Sequence, residues 1–463
     1  MGYITTSKRY ENVINRCLSD SNTASCVYVP TVILHHPDDG YRLSPRIVKR
    51  FYIDQEFTTR YTDSIVISVE ITLDEFKELT KHLKNLKCTI KLEAYSSVLQ
   101  RKLFNIEPII FDSLTVVSDE IVINQLMNAN VNKTASDVSN PDTPEKAEAR
   151  ITYPLFLINS KMYDARQIQI NSVLTNVTVE QVLYWSANQF GFDLANIYPP
   201  DNPTVYKNFI IPPMKDISTL YGYIQGRYGV YKDGCGYYAT DDCLDIYPIF
   251  ATDTTRVVNK GTIHLVHIAE GSYKGLAKYH HRYDDDVYIL SNTNMDRKSM
   301  NTRKMDEEGN THSFAMVDGR HDNSVVVGKN GTVTRDKTVI QTIDMNANSQ
   351  PKTNAQIYKF DGYTNNVFKE TTKMFAANST VMRLGWSMAE PKLLKPGQLV
   401  MYHYDNDGGD YQVKRGRVLS AVYNAAFVNL PNGTDFGMTF GCELNLFLEP
   451  DTVTNGADTT IGG

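Results

Sequence analysis

The chain has little of what catalysis, membrane insertion or phosphate binding requires. Its six cysteines, Cys17, Cys26, Cys88, Cys235, Cys243 and Cys442, include no C-x-x-C pair. In 463 residues that spacing suits neither a disulfide framework nor a thiolate metal knuckle. Free thiols made in a reducing cytosol are expected, even if Cys235 and Cys243 face each other across a small meander. No apolar run approaches the roughly 18 residues of a membrane span, so no membrane association is expected. Basic residues (47) do not exceed acidic ones (53), and a net charge of −6 leaves no basic stripe to displace counterions from nucleic acid. The start, MGYITTSKRY, lacks the regions of a secretory signal, and its match to the myristoylation pattern through Gly2 and Thr6 is too short to carry weight.

Catalytic signatures are also missing. G-x-S-x-G, H-E-x-x-H and a dinucleotide G-x-G-x-x-G after a strand are absent. Gly229 and Gly234 have the spacing of a phosphate-binding loop, but Cys235 and Gly236 follow where lysine and a hydroxyl belong. The closest histidine groupings are His35-His36, His264 with His267, and His280-His281. On a strand, residues one or three apart point to opposite faces, so none of these makes a metal site. The acidic runs Asp284 to Asp286 and Asp405 to Asp410 read as solvated turns; the second has Gly416 where a calcium loop needs its glutamate. Paired carboxylates for glycoside cleavage have no fixed spacing and leave no signature to find. No catalytic, cofactor-binding or metal residue is therefore nominated. A binding or assembly role is expected, not an enzyme.

Tyrosine is abundant: 29 Tyr stand beside 2 Trp. Tyrosine suits β-structure and also surfaces that meet proteins or glycans. It concentrates in IIPPMKDISTLYGYIQGRYGVYKDGCGYY, Ile210 to Tyr238. Ile217, Leu220, Tyr221, Ile224 and Tyr228 share one helical stripe, with Asp216 as N-cap and Gly229 just past the end. Gly222 and Gly226 leave the opposite side nearly bare backbone, which is either tolerated or closely packed by another element or chain. Asp233-Gly234 is read as a tight hairpin turn, and Cys243 to Ile249 as a further strand.

The whole chain reads as α+β, mainly β. Residues 1–128 form a β domain with one helix. There YTDSIVISVEI alternates as a strand, Thr72 and Glu75 make a capping box, and helical spacing runs through Leu73, Phe76, Leu79, Leu83 and Leu86. Residues 129–150 lose hydrophobic pattern and read as a linker. Residues 151–250 read as an α/β unit opening with ITYPLFLIN, in which Thr178 and Gln181 cap a helix closed by Gly191. Residues 251–450 are again β, interrupted at about 291–355 by a polar stretch expected to lack structure or to order against a partner. Residues 451–463 form a tail.

This order of parts resembles the baseplate hub proteins of contractile-tailed bacteriophages, relatives of the hub portion of type VI secretion spikes. TVEQVLYWSANQFGF followed by IIPPMKDISTLYGYIQGRYGVYKDGCGYYATDDCLDIYPI carries the likeness, and LKPGQLVMY, YQVKRGRVLSAVYNAAF and ELNLFL are similar to the closing barrel of that family. The resemblance implies two tube-like β-barrels flanking the α/β unit. It also implies a homotrimer that presents a quasi-sixfold ring to a hexameric tail tube protein and meets a trimeric spike protein and other baseplate proteins. The protein would be made in the bacterial host cytoplasm and reside in the virion, with DNA passing through the channel without specific binding. The polar stretch from Ser291 departs from that pattern. The alternatives are another tail adaptor, or a virion protein that binds or degrades glycans.

Overall fold

The computed structural model describes residues 15, 26–45, 47–58, 60–96, 101–103, 106–117, 150–231, 233–251, 261–267, 280–283, 285–291, 296–299, 380–405, 411–429 and 436–449, with short strands between 313 and 360. Among these residues the chain is mainly β, with four helices.

The first sheet draws on β1 (Cys26–His35), β2 (Ile47–Glu56), β3 (Ser64–Thr72), β4 (Lys87–Ser96), β5 (Ile109–Val117) and β6 (Arg150–Asn159). Alternation sets its inner face. Ile65, Ile67, Val69 and Ile71 of β3 are buried, and so are Ile151, Tyr153, Leu155 and Leu157 of β6. Helix α1 (Leu73–Lys81) starts with the expected capping box and lays Phe76 edge-to-face on Tyr153, with ring centroids 5.4 Å apart. It ends short of Leu83 and Leu86, before Asn85 enters the left-handed region at φ 62°.

ITYPLFLIN, expected to open the α/β unit, is a strand of the first sheet, paired with β3 on one edge and β5 on the other. The unit itself begins after it. It comprises α2 (Ser160–Ala165), β7 (Ile170–Thr178), α3 (Val179–Gln189), β8 (Leu194–Ile197), β9 (Val205–Lys215), α4 (Ile217–Arg227), β10 (Cys235–Thr240) and β11 (Cys243–Pro248). β7 and β9 form an antiparallel ribbon; β8 runs parallel to β11, which pairs antiparallel with β10. The expected hairpin turn at Asp233-Gly234 is not where the chain reverses. The β10–β11 turn is Asp241-Asp242, with Asp241 at φ 49°, while Asp233 and Gly234 accept from the amides of Phe250 and Ile249 at the other end of the hairpin.

The same hydrogen-bonded sheet continues into a second part, hereafter the second sheet, with β12 (Thr262–His267), β13 (His280–Tyr283), β14 (Asp286–Ser291), β15 (Thr380–Trp386) and β16 (Leu399–Asp405). β12 lies between β14 and β16, parallel to both. The last two strands, β17 (Tyr411–Asn429) and β18 (Phe436–Leu448), serve both sheets. The beginning of β17 pairs with β16, and Ser420 to Asn424 pair with β2. The end of β18 pairs with β15, and its Met438 with Tyr28 of β1. The changeover in β17 falls at a register shift between Val418 and Ser420, a bulge that bends the strand from one sheet to the other. Hydrogen-bonded neighbours thus close an eight-strand antiparallel circuit: β17, β2, β3, β6, β5, β4, β1, β18 and back to β17.

The polar stretch carries strand Ser313–Asp318 between Gln341–Asp344 and Ala355–Phe360. Of the expected linker at 129–150 and the acidic run at 405–410, only Arg150, which begins β6, and Asp405, which ends β16, are among the described residues.

Candidate assembly surface

Helix α4 and the loop after it are held as the sequence suggests. Asp216 accepts from the Thr219 amide, the stripe Ile217, Leu220, Tyr221 and Ile224 is buried, and Gly229 takes φ 75° just past the helix. The Gln225 side chain then folds the loop back: its Oε1 accepts from the Val230 and Tyr231 amides and its Nε2 donates to the Tyr231 carbonyl. Asn202 donates to the carbonyls of Tyr228 and Gly229, and the Tyr228 ring stacks on Phe209 at 3.7 Å.

Much of the tyrosine in the α/β unit is spent inside. Tyr198, Tyr221, Tyr231, Tyr238 and Tyr247 are fully buried, and their hydroxyls fasten the α/β unit to its surroundings. Tyr247 donates to the Phe57 carbonyl at 2.7 Å, Tyr198 to the Gly397 carbonyl at 3.0 Å, and Tyr231 to the Tyr198 carbonyl at 2.6 Å. Tyr61 stacks on Tyr237, Thr62 bridges to Ala239, and Arg417, itself buried, donates to the carbonyls of Ala251 and Gly397. Lys392 pairs with Asp241 at 2.7 Å. The unit is therefore locked both to the first circuit and to the segment leading into β16.

One ionisable group in this seam has a pH consequence. Asp63 Oδ1 accepts from Tyr238 at 2.7 Å and from Gln55 Nε2 at 3.0 Å, and burial raises its carboxyl above the ordinary range despite these two donors. A raised carboxyl in the folded state means ionised Asp63 is a cost at neutral pH. That cost disappears as pH falls through the raised value. Asp63→Asn, which keeps the acceptor without the charge, is expected to be at least as stable as the parent at pH 7, with its advantage shrinking toward pH 4. Urea midpoints at the two pH values measure this; a variant weaker at pH 7 than at pH 4 would contradict it.

Several apolar side chains remain outside. Val173 and Ile210 lie opposite each other across the β7–β9 ribbon and are 61% and 51% exposed. Val117 and Phe156, opposite each other on β5 and β6, are 41% and 40% exposed and line a groove of about 470 Å³ with Tyr61, Asp63, Arg60 and Arg166. A Cβ built at Gly222 or Gly226 meets nothing within 4 Å, so among the described residues no other element packs closely on that side of α4.

Chemistry finds little purchase here. Burial pushes the Cys235 thiol up to about 12 and raises Cys88 and Cys442, so these thiols are poor nucleophiles. Cys235 and Cys243 are not joined by a disulfide and sit at opposite ends of the β10–β11 hairpin, so they do not face each other. Among the described residues no three His, Cys, Asp or Glu side chains are placed to hold a metal ion together. His264 and His267 are not brought together by their strand; His264 instead meets His403, a pairing that no local spacing announces.

No family model matches the chain, and no curated protein matches it. Among solved structures it is similar to the tail protein from Neisseria meningitidis MC58, with 10% identity over 91% of this chain and 97% of that one, TM-score 0.45. It is also similar to the 43 kDa tail protein of prophage MuSo2 from Shewanella oneidensis, with 10% identity over 90% and 96%, TM-score 0.44. A third similar structure is the Francisella PdpA-VgrG complex in its half-lidded form, with 7% identity over 92% of this chain and 59% of that one, TM-score 0.46.

Proposed function

We propose that the chain is a non-enzymatic structural protein of the virion, a tail baseplate hub that assembles as a homotrimer and adapts a hexameric tail tube to a trimeric spike. The observation that carries this reading is the sharing of β17 and β18 between two sheets. In this reading the closed circuit is one tube-like barrel and the second sheet is the other. The first draws on residues 1–128 together with β6, the α/β unit on 160–250 and the second on 251–450, with β17 and β18 common to both barrels. Two barrels fixed by common strands let three chains present six similar modules, and head-to-tail contacts close such a ring. The exposed pairs Val173/Ile210 and Val117/Phe156 suit contacts with neighbouring subunits or other baseplate proteins. DNA passes along the channel without specific binding.

Light scattering on the purified chain tests this. Three chain masses are expected, and in virions three copies for each six-subunit ring of tube protein. A monomer that binds or degrades polysaccharide overturns it. Gly226→Leu refines the picture. The side chain enters open space and replaces a poor helix former, so chain stability is expected to rise by about 0.5–1 kcal/mol. If a neighbouring subunit packs on that bare side, the same variant shifts the mass below a trimer; unchanged mass places the contact elsewhere.

A further inference from the structure

We propose that His264 and His403 form an acid-sensitive latch fastening β12 to β16 in the second sheet. Both residues are buried, and His264 Nδ1 lies 3.1 Å from His403 Nε2. A contact between two ring nitrogens holds one hydrogen: one nitrogen donates and the other accepts.

The neighbours on this face fix which protons are tolerated. From β14, Asp286 Oδ2 lies 3.6 Å from His264 Nε2, and the Tyr288 ring stacks on His264 at 4.5 Å. The other oxygen of Asp286 accepts from the Thr262 amide, which holds the carboxylate beside β12. From β17, the register places Val413 opposite His403, Arg415 opposite Met401 and Arg417 opposite Leu399, so Arg415 and, one step further off, Arg417 are the cations on the same face; Lys414 is opposite Tyr402, on the other face. A first added proton leaves one hydrogen in the ring-to-ring contact, with both outer nitrogens protonated and Asp286 beside the charge. A second puts hydrogens on both facing nitrogens at 3.1 Å, and the latch opens.

The linkage sign follows. The unfolded chain takes two protons at these positions below about pH 6.5 and the folded pair takes one, so unfolding takes up one extra proton and stability falls on acidification.

His403→Gln tests the latch. The glutamine amide can donate to His264 or accept from it, so folded and unfolded states each take one proton. Urea unfolding of the full chain between pH 6.5 and 5 is expected to show the parent's unfolding constant rising with falling pH more steeply than the variant's, by up to roughly tenfold per pH unit. Parallel curves overturn the proposal. Should the variant not fold, imidazole nitrogen NMR of the folded parent decides: uptake of one proton by the pair is expected, and uptake of two with the sheet intact refutes it.

Discussion

Gly416→Val is expected to cost about 4 kcal/mol of unfolding free energy, at the upper end of what single substitutions do. A Cβ at this position would lie 1.9 Å from the Phe447 carbonyl oxygen on β18. The obstacle is backbone, so no side-chain rotation relieves it. The substitution must push β17 away from β18 just before the bulge where β17 passes from one sheet to the other. Gly416→Ala adds only the clashing atom and is expected to share most of the loss. Denaturant unfolding monitored by far-ultraviolet circular dichroism measures both. A loss under about 1 kcal/mol for either variant would show that the two strands are not in close register there.

Tyr247→Ala is expected to cost a comparable amount, about 4 kcal/mol, and Tyr247→Phe about 1–2 kcal/mol. The ring fills a slot between two glycines. A Cβ at Gly236 or at Gly397 would approach it to 2.7 Å, and Gly397 holds φ 68°. Its hydroxyl reaches the Phe57 carbonyl at 2.7 Å, across the seam between the α/β unit and the first circuit. Removing the ring leaves a cavity that two backbone-only positions cannot fill; removing the hydroxyl leaves a buried carbonyl without its donor. Equal losses in the two variants would mean that only the hydrogen bond matters. A negligible loss in both would mean that the seam is not under load.

The local parts of this architecture were legible because their signals are local. Thr178 with Gln181 and Thr72 with Glu75 each mark a helix start, and Asp216 and Gly229 mark both ends of a third, and the caps are present as the spacing suggests. The tyrosine-rich segment is legible as a capped helix followed by strands, but not the partners of its tyrosines, since Asp63, which Tyr238 reaches, lies far away in the sequence. The hairpin turn was misplaced because Asp233-Gly234 has stronger turn chemistry than Asp241-Asp242. The choice was made by pairing with β8, which registers Cys243 to Ile246 against Leu194 to Ile197. ITYPLFLIN alternates as well for a barrel wall as for a mixed sheet, so periodicity could not assign it. The His264–His403 contact depends on the neighbouring registers of β12 and β16, and neither strand advertises its neighbour.

The sharing of β17 and β18 has a consequence for biosynthesis. During translation the N-terminal strands emerge from the ribosome long before the residues that complete their circuit. β1 and β2 must wait, with their backbone edges unsatisfied, until β17 and β18, more than 350 residues later, have been made. A nascent chain truncated before Tyr411 would keep those edges open, so ribosome stalling or premature termination late in the message should yield an aggregation-prone fragment in place of a stable N-terminal domain.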